Sequence, residues 1–127
     1  MHHRILLITA FGLLCSSVQA QYANIDGKFR SHSTTLNLIP LDKHSGVIAA
    51  TTTVVQGACS GTVAGVGRIS GDELKFSPYV KTDKNGACIV TVLFDEKRNA
   101  AKVTADGCMA QSGASCGWEG DTLKRVK

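Results

Sequence analysis

Proline and aromatic residues are scarce in this 127-residue chain, with two prolines and an aromatic content of 6%. Helical periodicity is also hard to find beyond residue 20, which argues against a bundle or an α/β fold. No stretch after Gln21 is long and apolar enough to span a bilayer. Close cysteine pairs are missing too. Cys59, Cys88, Cys108 and Cys116 are separated by 28, 19 and 7 residues, so a structural zinc site would need four unrelated segments to converge. The same spacing excludes a thioredoxin-like redox pair.

What is present begins with a leader. His2, His3 and Arg4 precede an apolar run from Ile5 to Leu14, and Val18-Gln19-Ala20 offers a small-x-small cleavage point before Gln21. That layout is expected of a secretory signal peptide over residues 1–20. The apolar run is too short to cross a membrane, and Cys15 leaves with the leader. Residues 21–127 then form a single β domain of 107 residues, long enough to bury a real core. Export leads to an oxidising periplasmic or extracellular setting, where four cysteines are read as two disulfides. Three pairings are possible. Cys59 with Cys88 and Cys108 with Cys116 is expected, because each bridge then joins neighbouring segments without threading.

Without the leader, thirteen Lys and Arg face ten Asp and Glu, a net charge of about +3 with histidines neutral. The signs are interspersed, as in Lys81-Asp83-Lys84 and Asp95-Glu96-Lys97-Arg98, which suits solvated turns. Tyr22, Phe29, Phe76, Tyr79, Phe94 and Trp118 do not cluster with the basic residues, so nucleic acid is not an expected partner. No membrane role is expected once the leader is removed.

Short alternating runs rich in Val, Ile and Thr, bounded by Gly, Asn, Asp and Ser, predict an all-β domain. Strands are expected at 34–41, 47–56, 62–69, 73–77, 88–95, 100–106 and 121–126. Leu36 and Leu38 share a face, as do Leu74 and Phe76, and Cys88, Val90, Val92 and Phe94. Pro40 implies an edge or an ending. Gly65 and Gly67 fall on the same face as Val63 and Ile69, which implies a bend or a close backbone approach. Asp83-Lys84-Asn85-Gly86 is the strongest turn signal. Seven or eight strands with a turn every ten or so residues describe a small antiparallel meander, closed as a barrel or folded as a two-sheet sandwich. The glycine pair favours the barrel.

No catalytic constellation stands out. His32 and His44 are the only histidines after the leader. Both lie in polar stretches, and neither belongs to a nucleophile motif such as Gly-x-Ser-x-Gly. Asp72-Glu73 and Asp95-Glu96 read as turn residues. No metal site, cofactor motif or catalytic residue is expected. The stretch that invites a functional reading is Cys108-Met-Ala-Gln-Ser-Gly-Ala-Ser-Cys116, followed by Gly117-Trp118-Glu119-Gly120-Asp121. Gln111, Ser112, Gly113, Ala114 and Ser115 are small and polar, and a loop fixed at both ends has less entropy to lose on docking. Trp118 is either an exposed anchor of the kind enriched in interfaces or a core residue.

Ser112-Gly113-Ala114-Ser115, with Trp118 leading into a last strand, resembles the small exported β-barrel lysozyme inhibitors of bacteria. Several families of these insert a short Ser-Gly loop into the enzyme's cleft. The chain lacks the tyrosine such inhibitors commonly carry near the loop, and c-type lysozymes are themselves basic. The resemblance implies a non-enzymatic binding protein, an inhibitor or immunity protein whose partner is a peptidoglycan hydrolase (lysozyme or amidase). Gln111, Ser112, Gly113, Ser115 and Trp118 are then the partner-binding candidates. The alternatives are a carrier enclosing a small apolar ligand within Leu36, Leu38, Leu74, Phe76, Val90, Val92 and Phe94, and, third, a small secreted enzyme.

Overall fold

The computed structural model describes residue 12, residues 24–81 and residues 88–127. The expected signal peptide, Tyr22 and the turn at Asp83–Gly86 lie outside the described residues. Eight antiparallel strands follow in order: β1 (Gly27–Arg30), β2 (Thr34–Asp42), β3 (Val47–Gln56), β4 (Cys59–Ser70), β5 (Glu73–Phe76), β6 (Ile89–Phe94), β7 (Ala100–Asp106) and β8 (Glu119–Arg125). Each pairs with the next, and β8 returns to β1 through Phe29↔Arg125 and Arg30↔Lys124. The sheet is therefore a closed barrel, and the sandwich alternative is set aside.

Alternation along the strands divides the inner from the outer wall. Inward positions include Leu36 and Leu38 on β2, Ile48, Ala50, Thr52 and Val54 on β3, and Leu74 and Phe76 on β5. Val90, Val92 and Phe94 on β6 and Leu123 on β8 complete much of the core. Phe29 and Phe94 meet edge to face at 5.8 Å near one end. The Arg125 guanidinium covers that end, 4.5 Å from the Phe29 ring. It donates to the carbonyls of Asn24, Asp26 and Arg98, so the charge is fully employed where it is partly buried.

The glycines of β4 serve close approach, as their shared face implies. A Cβ on Gly65 would stand 1.9 Å from the Ser77 carbonyl oxygen, and one on Gly67 would stand 2.1 Å from that of Lys75. Only bare backbone lets β4 run this near β5 and the segment after it. Among the strands, three depart from expectation. β1 was not expected, because Gly-Lys-Phe-Arg carries a single inward apolar residue, Phe29. β4 begins at Cys59 and not at 62, because the turn from β3 needs only Gly57 and Ala58. Pro40 lies within β2 beside a bulge between Pro40 and Asp42, where the register slips.

The up-and-down topology sorts the connections. Tight turns at 43–46, 71–72 and 95–99 lie at the end that Arg125 covers. The longer segment 107–118 lies at the opposite end, with the short turns at 31–33 and 57–58.

Candidate functional site at the disulfide-framed end

Both disulfides sit at the end that carries residues 107–118, and their pairing corrects the sequence expectation. Cys59 bonds Cys116 and Cys88 bonds Cys108. The topology explains why. β4 and β6 are separated by β5, so Cys59 and Cys88 are not neighbours on the wall. The β6–β7 register sets Ile89 opposite Asp106, which brings Cys88 within 4.5 Å, Cα to Cα, of Cys108. Cys108 and Cys116 are held apart by a single helical turn, α1 (Met109–Ser112), which the sequence reading lacked. The loop is not closed on itself. Its first end is bolted to the start of β6 and its second to the start of β4. All four cysteines among the described residues are therefore disulfide-bonded.

α1 lies directly on β4. A Cβ on Gly61 would stand 2.6 Å from that of Ser112, so only glycine admits this seat. Ser112 is half-buried, and its hydroxyl donates to the Cys116 carbonyl at 2.9 Å, closing the loop internally. Gln111 is half-buried with its side-chain oxygen buried and unpartnered. Gly113 ends the helix at φ 76°, a left-handed value that favours glycine, and its N–H donates to the Met109 carbonyl. Beyond it, Ala114 and Ser115 are exposed before the chain dives in at Cys116.

Trp118 is not an exposed anchor. It is 5% exposed, and its indole N–H donates to Thr52 Oγ1 at 3.0 Å, inside the barrel. Thr52 is itself fully buried and donates to the Thr35 carbonyl at 2.8 Å, so both polar groups are satisfied. Trp118 thus acts as a stopper under the loop. Of the five partner-binding candidates, Gly113 and Ser115 are presented to solvent, Gln111 and Ser112 are turned partly inward, and Trp118 is buried. Sequence reasoning passed over Met109, which is 66% exposed on α1, and read Ala114 as part of the loop without making it a partner-binding candidate. A lone apolar residue on a polar loop was the available signal for Met109.

An open depression of about 340 Å³ lies alongside, bordered by Met109, Gly113, Ala114, Gly117 and Glu119. Residues 107–117 carry no charge, whereas Asp106 and Glu119, on the strand ends that flank them, are exposed acids. Asp121 is also close, accepting from the Ser33 hydroxyl at 2.9 Å and tying the 31–33 turn to the start of β8. His32 is exposed in that turn, and His44 lies in the turn at the opposite end, so the two histidines share no site.

Two disulfides fit an oxidising, extracellular or periplasmic setting. Among the described residues no helix is long and apolar enough to cross a membrane. Compared with known proteins, the chain matches no family model, no curated protein and no solved structure.

Proposed function

We propose that this chain is an exported, non-enzymatic protein that binds a protein partner through the disulfide-framed end of its barrel, and that the partner is a cell-wall hydrolase, a lysozyme or an amidase. Residues 1–20 act as its signal peptide. The observation that carries the reading is the mounting of residues 107–117. Two disulfides anchor the loop to separate strands, Gly61 seats it, Trp118 supports it, and its neutral tip, Gly113-Ala114-Ser115, projects into solvent. A tip held this way has little conformational entropy left to lose on docking. An exposed, uncharged tip of small residues can enter a cleft, and a hydrolase offers one.

The local charge supports a basic partner despite the net positive charge of the chain. Glu119 borders the same depression as Gly113 and Ala114, and field at an interface follows nearby charges within about 10 Å at ordinary ionic strength. The carrier reading receives less support, because Leu36, Leu74, Val90, Val92 and Trp118 pack the space a ligand would need. The test is titration of the mature protein against a panel of muramidases and peptidoglycan amidases, following binding by calorimetry and hydrolysis of purified peptidoglycan. Inhibition of at least one enzyme with nanomolar affinity is expected, and a null across the panel rejects the hydrolase assignment.

A further inference from the structure

A second surface lies on the outer wall of β6, β7, β8 and β1, separate from the loop. Arg30 and Lys124 are directly opposite each other where β8 closes on β1. Lys28 lies two residues along β1 on the same face. Lys102 on β7 is opposite Thr122, two residues from Lys124. All four cations are exposed, and among the described residues none of them is ion-paired. Their other cross-strand neighbours are neutral: Thr35 beside Arg30, Asn37 beside Lys28 and Leu93 beside Lys102.

Like charges placed directly across a ladder are destabilising, so nothing in the fold itself accounts for this arrangement. Continuous with the cations is a shallow depression of about 270 Å³, bordered by Leu93, Ala100, Lys102 and Thr122. Leu93 is 50% exposed. Of the carboxylates beside this hollow, Asp95 on its rim is turned into its own hairpin, accepting from the N–H groups of Asn99 and Ala100 at 2.8 and 3.1 Å, and Glu73, across the ladder from Leu93, is ion-paired with Lys75 at 3.5 Å.

We infer that this wall docks an acidic protein segment, with carboxylates set on Arg30, Lys124 and Lys102 and an aliphatic side chain seated beside Leu93. The charge is complementary to an anion, and the apolar hollow distinguishes the occupant from a linear polyanion such as a sulfated glycan, which has no aliphatic side chain to place there. Phe94, which borders the hollow, is buried in the core, so no exposed aromatic platform is offered by the described residues of this face, which also sets it apart from a nucleic-acid groove. The inference stands apart from the proposed hydrolase contact. Ala114→Arg alters the loop and leaves this wall unchanged, so the two readings fail separately.

Amide chemical shifts of the isotope-labelled mature protein provide the test. Three probes are titrated: a capped pentapeptide alternating glutamate with leucine, its all-glutamate counterpart, and dextran sulfate. The alternating peptide is expected to move the resonances of Leu93, Lys102, Thr122, Lys124 and Arg30. It should bind more tightly than the all-glutamate peptide and weaken as sodium chloride rises from about 50 to about 300 mM, because screening shortens the reach of the charges. The double variant Lys102→Glu, Lys124→Glu should bind at least about tenfold more weakly. Its melting temperature should be no lower than that of the native protein, because a carboxylate at position 124 would face Arg30 with opposite sign, so the loss cannot be assigned to unfolding. Absence of shifts on this wall, equal binding of the two peptides, stronger binding of dextran sulfate than of the alternating peptide, or undiminished binding by the double variant would each overturn the inference.

Discussion

Trp118 shows how much one side chain decides here. Replacing it with alanine removes a buried aromatic and leaves a cavity beneath the loop, a change expected to cost about 3–5 kcal/mol in chemical denaturation. Trp118→Phe keeps most of the volume but takes away the donor to Thr52, and should cost about 1 kcal/mol more than its loss of apolar volume alone. The flanking Gly117 and Gly120 made an exposed loop position plausible from sequence. What places the indole inside is a distant partner, Thr52, whose inward orientation follows from the β3 alternation but whose contact with Trp118 depends on barrel closure. At the far end of the molecule, Asp42 accepts from the Ser45 hydroxyl at 2.7 Å and from the His44 N–H at 3.0 Å, which together hold its carboxyl below the ordinary value. A group with a lowered folded pKa contributes stability above its unfolded pKa and loses it as pH falls through the folded value. Ser45→Ala should therefore move the Asp42 titration, followed by side-chain carboxyl chemical shifts, upward toward an ordinary carboxylate.

At the scale of elements, most strands were legible because their inward residues alternate cleanly, as in Leu74 and Phe76 or Val90, Val92 and Phe94. β1 was not, since one inward phenylalanine in four residues is no pattern, and α1 was not, since a four-residue helix has no periodicity to read. The glycines of β4 were legible as a close approach, though not which backbone they meet. Gly65→Ala should cost about 3 kcal/mol, the upper part of the usual overpacking range, because the obstacle is the Ser77 carbonyl and not a movable side chain. The disulfide pairing escaped sequence reasoning because proximity along the chain is a poor guide when a strand intervenes. On the loop-entropy model the bridges should contribute unequally: about 4 kcal/mol for Cys59–Cys116, which spans 57 residues, and about 3 kcal/mol for Cys88–Cys108, which spans 20. Denaturant midpoints of the two paired alanine variants check that order, and an equal or reversed loss would contradict it.

For the whole molecule, regular turn spacing was enough to read an all-β meander, while closure through Phe29↔Arg125 and Arg30↔Lys124 needed a strand the sequence did not announce. Net charge was a poor summary of the surface. The described surface separates a cationic outer wall from a neutral tip with Glu119 beside it, a segregation that interspersed signs along the chain conceal because neighbouring strands come from distant segments. The two ends also differ in build, with tight turns and an arginine cover at one and a disulfide-anchored loop over Trp118 at the other. A scaffold of this kind holds its loops still for recognition. The decisive measurement is the dissociation constant of the proposed hydrolase partner for the native protein against Ala114→Arg, whose bulky side chain would stand on an exposed tip residue outside the core. At least about a hundredfold weakening, worth about 2.7 kcal/mol, with an unchanged melting temperature is the predicted result. Undiminished affinity would contradict the placement of the partner on the disulfide-framed tip.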